Sequence, residues 1–197
     1  MSFPEIIKLV PDQTPRLRLR LWRDEDRAPF RALNADPDVM AFFPAPLTDA
    51  QSDAFLDRIR LHHVQHGFGL WAVELHDTST FIGFTGLAIP SWHPPFGPCV
   101  EVGWRLAREH WGHGYATEAA RTAMDFGFRE LQLDEIVSFT AAINQRSERV
   151  MQRLGMHHAS SDDFDHPALP AGDRLVRHVL YRISRTDWEA DGCPLSR

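Results

Sequence analysis

This sequence predicts an α+β domain built on a mixed sheet, and three features carry that prediction. Runs with the two-residue period of strands alternate with runs of helical period along the chain. Two neighbouring strand-like runs are joined by only four residues, a hairpin, whereas later strands are separated by helix-length segments that allow crossovers. No linker, low-complexity tract or internal repeat interrupts the 197 residues, which suffice for one well-packed core and are short for two.

Arg16 to Trp22, RLRLRLW, alternates strictly and sets Leu17, Leu19 and Leu21 on one face; it reads as a half-buried strand whose arginine face meets solvent. Arg23 to Met40 opens acidic and reads as a short helix ending near Asp36-Pro37, because a residue before proline is pushed out of helical conformation. Thr48-Asp49-Ala50-Gln51 is a capping box that starts a helix running to about His66. Phe68 to Leu75 and Thr80 to Ile89 are apolar and β-prone, with His76 to Ser79 as the turn between them. Pro90 to Pro98 contains four prolines and is an extended loop.

Cys99 to Ala107 is the next strand, followed by a helix over Tyr115 to Glu130. In that helix Ala116, Ala119, Ala120, Ala123 and Gly127 form a small-residue face suited to lie close on a sheet. Asp134 to Ala141 is a strand, and Asn144 to Leu154 a helix closed by Gly155. His157-His158 belongs to a strand, and Asp173 to Ser184 is the last core strand. The tail, Thr186 to Arg197, reads as a turn or frayed end.

Composition narrows the function classes. Hydrophobic residues at 43% and charged residues at 24% match ordinary globular usage, and no apolar run approaches the about 18 residues that a membrane span needs. The first residues lack the basic segment and longer apolar stretch of a signal peptide, so a cytoplasmic protein is expected. A net charge of -6 argues against a nucleic-acid partner, since neutralising phosphates takes clustered Lys and Arg. Cys99 and Cys193 are far apart and suggest neither a disulfide scaffold nor a metal knuckle. His62, His63 and His66 lie close in sequence, but no further ligand nearby completes a site, so no metal is expected.

The segment with most chemistry is HWGHGYATEAA, His110 to Ala120. Gly112 and Gly114 stand between a strand and a helix, where the first helical N–H groups lack partners and the helix dipole favours negative charge. Glycines there let an anion approach without meeting a Cβ, and a phosphate is the natural occupant. A ligand-free turn has the same spacing. A P-loop is excluded because no Lys-Ser/Thr pair follows the second glycine. A dinucleotide fingerprint is excluded because Thr117 replaces its third glycine and Asp134 precedes its strand rather than following it.

Trp111 to Ala116, WGHGYA, resembles the acetyl-CoA pyrophosphate loop of the GNAT N-acetyltransferases, and WGHGYATEA is similar to the variant of the RimJ/RimL-like branch. Trp111 departs from the usual Gln or Arg. Thr14 to Met40 resembles that branch's first strand and helix, VEVGWRLA (Val100 to Ala107) its fourth strand, NQRSERVMQRLGM (Asn144 to Met156) its Asn-x-x-Ser helix, and HVLYRISRTDW (His178 to Trp188) its terminal strand. The resemblance covers about Thr14 to Trp188, so the whole chain, 1–197, is expected to be one acetyltransferase domain with short extensions. It implies a mostly antiparallel sheet splayed between the fourth and fifth strands and flanked by helices.

The resemblance also implies site residues. Acetyl-CoA would lie in the splay, its pantetheine arm on the main chain of Trp104, Arg105 and Leu106, its pyrophosphate on Gly112, His113, Gly114, Tyr115, Ala116 and Thr117. Asn144 would contact the pantetheine arm; an ordinary N-cap is the plain alternative. Acyl transfer to an amine requires that the ammonium first lose a proton, and Glu101, beside the expected thioester, is the candidate base, with a solvated strand carboxylate as its alternative. Met151 occupies the position where many members carry a tyrosine acid, so Ser147 is the candidate donor to the departing thiolate, with Tyr181 a second choice. Met40 to Leu47, Trp71, Trp92 and His93 are candidates for an aromatic acceptor wall, with core packing and loop rigidity as the alternative for each, and Asp162 to Pro170 either offers carboxylates or is a surface turn. The implied activity is transfer of an acetyl group to a protein N-terminus or small amine by a monomer or homodimer. A non-catalytic acyl-CoA-binding module is the alternative.

Overall fold

A computed structural model of the chain describes residues 10, 11 and 13–190. The elements run β1 (Leu17–Arg20), α1 (Arg27–Ala35), α2 (Asp49–His66), β2 (Leu70–Leu75), β3 (Phe81–Ala88), β4 (Glu101–Leu106), α3 (Tyr115–Arg129), β5 (Glu135–Ala141), α4 (Gln145–Arg153), β6 (His157–His158), β7 (Phe164–Asp165), β8 (Arg177–Ser184) and α5 (Arg185–Ala190). The strands make one mixed sheet in the order β1-β2-β3-β4-β5-β8-β6, with β7 also on β8. Neighbours are antiparallel except β4 and β5, which are parallel. The expected α+β architecture therefore stands. Among the described residues no helix is long and apolar enough to cross a membrane.

Local chemistry sets the boundaries. Thr48 Oγ1 accepts from the Gln51 amide, and Gln51 Oε1 accepts from the Thr48 amide at 2.9 Å, the reciprocal cap expected for α2. That helix stops where Gly67 takes a left-handed φ of 76°. The two faces of the sheet carry separate apolar layers. One packs Leu17, Leu19, Ile82, Val102 and Ile136 under α3, whose Ala119, Ala120 and Ala123 are fully buried. A Cβ at Gly127 would stand 2.8 Å from Leu87 Cδ1, so the small-residue face allows α3 to settle onto the sheet. The other layer gathers Trp22, Phe30, Leu33, Leu56, Ile59 and Phe84 beneath α1 and α2.

Three expectations are corrected here. The arginine face expected in solvent is solvated only in part: Arg16 is exposed and Arg18 half-buried. Arg20 is buried and donates to both oxygens of Asp26 (2.7 and 2.8 Å) and to Glu74 Oε2 (2.7 Å), and Arg18 reaches the same Glu74 at 3.2 Å. A buried carboxylate on β2 thus meets the face that alternation assigned to water. The tail is also not frayed through Ala190: Ser184 Oγ and Asp187 cap α5, and Trp188 is buried against Phe128. Ser184-x-x-Asp187 is itself a readable cap signal. The rest of the predicted tail, with Cys193, lies outside the described residues, as does the N-terminal extension through residue 9. The last strand begins at Arg177 rather than Asp173, because Val176 N closes a turn onto Asp173 O.

The Arg20–Asp26–Glu74 cluster yields a stability prediction. Arg20→Met leaves two carboxylates buried without their main partner and costs about 3–5 kcal/mol, the range for halving a buried ion pair. Arg27→Met, on an exposed ion-pair network with Asp57 and Asp53, costs less than about 1 kcal/mol. Urea unfolding of both variants measures the contrast.

Candidate active site

The site begins where the sheet opens. β4 and β5 pair only at Glu101 and Val137, with Val137 N donating to Val100 O at 3.0 Å. Beyond that point they part. On its other edge, β4 stays in register with β3, and Ala107 N donates to Ile82 O. Successive residues of a strand aim their peptide groups at opposite edges. Val102, Trp104 and Leu106 therefore present theirs to the opening, whereas Arg105 presents its own to β3. The Leu106 carbonyl is already taken by Trp111 Nε1 at 2.8 Å. A cavity of about 830 Å³ fills the opening, bounded by β4, the loop into α3, the end of β5, α4 and the loop between α1 and α2.

The loop into α3 is held from outside. Arg16 Nη1 donates to His113 O at 3.0 Å, its Nε donates to Glu118 at 2.7 Å, and its guanidinium lies over the Tyr115 ring. Trp111 pins the other side through Leu106, with Arg146 stacked on its indole at 4.4 Å. Gly112 and Gly114 sit at φ 81° and 79°, where side chains are strained. Nothing lies within 4 Å of a Cβ at Gly112, and at Gly114 only Arg16 Nη2 does, at 3.7 Å. No side chain caps α3. Its first amides thus face open space, with Gly112, Gly114, Tyr115, Ala116 and Thr117 lining the cavity. His113 does not line it; its ring stacks on Tyr115.

Glu101 and Ser147 both line the cavity, on β4 and α4. The Glu101 carboxyl faces the opening but sits deep in the protein, and burial alone pushes its pKa up to about 8. Asn144 caps α4, accepting from Ser147 N at 3.3 Å. Its amide donates to Thr140 Oγ1 (2.9 Å) and to Ser147 Oγ (3.1 Å). With that lone pair occupied, the Ser147 proton is left to point elsewhere. Met151, at the position of the family tyrosine, is buried and apolar. Tyr181 does not reach the cavity; its hydroxyl is held by Gln152 at 3.2 Å and faces Glu148.

The acceptor wall differs most from expectation. Phe42, Phe43 and Pro44 line the cavity as anticipated for the Met40 to Leu47 loop, but Met40 is core. Trp71 is wholly buried against Phe126 and takes no part. Trp92 backs the wall through Phe139, Phe164 and His166, while His93 is exposed. Asp162 to Pro170 is neither a bare turn nor an acidic rim: Phe164–Asp165 is a strand and Phe164 is buried. Sequence reasoning missed His166 and His178, ring centroids 5.0 Å apart on the wall, both with pKa values lowered chiefly by burial. It also missed the Arg105 side chain. The ring nitrogens of His62 and one of His63 are spent on main-chain groups.

A sheet opened at one strand pair, with an uncapped helix and glycine turn beside the gap, defines a GNAT-type acyltransferase architecture. Residues 16–157 match the model of the acetyltransferase (GNAT) domain, and the chain belongs to this family. It is 34% identical over 155 residues (78% of this chain, 87% of the relative) to the uncharacterized protein YkkB of Bacillus subtilis. It is 30% identical over 190 residues (89% and 76%) to the FsC-acetyl coenzyme A-N(2)-transacetylase of Aspergillus fumigatus. Among solved structures it resembles an acetyltransferase from Agrobacterium tumefaciens, with TM-score 0.71 and 26% identity over 93% of this chain and 95% of that one.

The loop geometry makes a prediction independent of any ligand. Gly114→Ala meets no backbone, so it folds, but forcing a Cβ into the left-handed region costs about 1–2 kcal/mol. Thermal or urea unfolding checks this; an unchanged stability would mean that the loop readily adopts another conformation.

Proposed function

We propose that the protein is an acetyl-CoA-dependent N-acetyltransferase in which Glu101 deprotonates the acceptor amine and Ser147 assists the leaving thiolate. The observation that carries this reading is the placement of a half-buried carboxyl at the one pair that β4 and β5 make, opening on a cavity ended by an uncapped helix. The free β4 edge at Trp104, with the Leu106 amide, suits the amides of a pantetheine arm, which would add to it like a strand. The left-handed Gly112 and Gly114 leave room for a pyrophosphate against the first amides of α3. Arg149 and Arg153 add positive charge to the same mouth. Acetyl-CoA, when bound, supplies an acetyl group on a thioester.

The chain's own residues do the rest. Glu101 accepts the ammonium proton, directly or through water; the new N–C bond forms as the C–S bond breaks. Ser147, with Asn144 donating into its oxygen, directs its proton to the sulfur as charge develops there. The glycine loop with Trp111 and the Asn144-x-x-Ser147 helix favour the RimJ/RimL-like branch, acting in the cytoplasm on an amine acceptor, without metal or nucleic acid. CoA release across peptides and small amines, detected as free thiol, tests the activity. Tight acetyl-CoA binding with no turnover would make the protein an acyl-CoA sensor instead.

Two substitutions test the roles. Glu101→Gln lowers kcat by about 10²–10⁴-fold at neutral pH with acetyl-CoA affinity unchanged. In the wild type, burial keeps Glu101 mostly protonated at pH 7, so kcat/KM rises with pH towards about 8 and that limb vanishes in the variant. Stability runs the opposite way to activity. The unfolded carboxyl ionises first, so folding is progressively penalised from the ordinary carboxylate range up to about pH 8. Glu101→Gln is therefore more stable than wild type above pH 8 and equal to it in acid. Ser147→Ala lowers kcat by about 10²-fold, the scale for one donor to a developing anion, and an unchanged kcat excludes the role.

A further inference from the structure

Arg105 stands on the same face of β4 as Glu101, two alternations along the strand, with Gly103 between them. A Cβ at Gly103 would meet nothing nearer than Glu101 Oε1 at 3.9 Å, so the floor between the two side chains is bare. The Arg105 guanidinium lines the cavity, wrapped by Phe43 (4.1 Å), Phe84 (5.3 Å) and Phe55 (5.7 Å). Among the described residues its one hydrogen bond runs from Nη1 to Asn34 Oδ1, its Nε is buried with no partner, and no carboxylate pairs with it. The nearby acid of the wall, Asp38, is engaged by Arg108 at 2.5 Å. Burial draws the Arg105 pKa down to about 10, yet it stays charged at neutral pH.

An unpaired guanidinium in such a place is costly, and the aromatic faces offset only part of the cost, with Nη2 left without a partner among the described residues. Its planar fork is matched by one common group, a carboxylate held by two parallel hydrogen bonds. We infer that the acceptor is an amine carrying a carboxylate, which Arg105 anchors across Gly103 from Glu101, with Phe43 covering the intervening carbons. The inference rests on the acetyl-transfer reading and names its substrate class. A polyamine is disfavoured by the same geometry, since its second ammonium would meet Arg105.

The test uses the full chain and amines matched in length: ω-amino acids from glycine to 6-aminohexanoate, their amides, the corresponding alkylamines and diamines, and α-amino acids. The carboxylates are expected to show kcat/KM higher by about 100-fold than their amides, the scale for a buried charge left unpaired. Arg105→Met, apolar and of similar length, removes that preference through KM and leaves acetyl-CoA affinity unchanged, whereas a purely structural arginine would change Tm without changing the ratio of carboxylate to amide use. Arg105→Lys keeps charge but not the fork and lies between. Equal use of amides or diamines, or a preference that survives Arg105→Met, overturns the inference. Calorimetry of the carboxylates against the CoA-loaded protein reads the anchor without turnover. Binding lost in Arg105→Met supports it, and no binding by any carboxylate overturns it. Carboxylate binding with no acetylation of any amine would instead sink the transferase reading alone.

Discussion

Everything at this site depends on one failure of pairing. A sheet is stabilised by satisfying each strand edge, and β4 leaves its edge towards β5 open after a single pair at Glu101 and Val137. The sheet can afford this because the rest of β4 is fixed elsewhere: its other edge is in register with β3 over its whole length, and Val102 and Leu106 are locked into the layer under α3. The opening is thus a rigid slot rather than a frayed end. Its depth follows from the same cause, because two parallel strands that diverge leave a gap that side chains from the sheet do not fill.

The slot also needs ends, and long-range contacts supply them. Arg16, before β1, holds the carbonyl of His113 and the carboxylate of Glu118, so a residue about a hundred positions away sets the pitch of the glycine turn. Trp111 spans from the loop to Leu106 and supports Arg146 on its outer face. Where the common family pattern has Gln or Arg, this chain has an indole that donates into the strand, consuming one carbonyl of the open edge while tying the turn to it.

Apart from β7 and α5, the order of strands and helices was legible, as were the hairpin, the capping box of α2, the small face of α3 and the N-cap at Asn144, because each is a local signal with a local cause. What alternation could not show was what stands opposite. Leu17 and Leu19 face the core as their period requires, yet Arg20 on the opposite face is buried too, since Glu74 of the neighbouring strand and Asp26 converge on it. Trp71, conspicuous in sequence, is ordinary core. His166 and His178 meet only because β7 folds back on β8, an arrangement no spacing announces. Arg105 was read for its main chain, and parity gives those groups to β3, leaving its side chain as the part that enters the slot.

The two ionisable groups on that face of β4 show why the slot is chemically active. Glu101 and Arg105 are an acid and a base on one strand face, and a direct pair between them would ease the burial of both. They are instead kept apart, and burial dominates each: the acid is raised and the base lowered. Gly103 keeps the space between them free of any side chain. In water either group would be indifferent to a passing amine or carboxylate, because solvent already satisfies it. Here Arg105 lacks a carboxylate among the described residues and burial keeps Glu101 mostly protonated, and a substrate bearing both an amine and a carboxylate suits the two together. The stability forgone by leaving the pair unmade is then the source of selectivity, since only binding of the right acceptor relieves it.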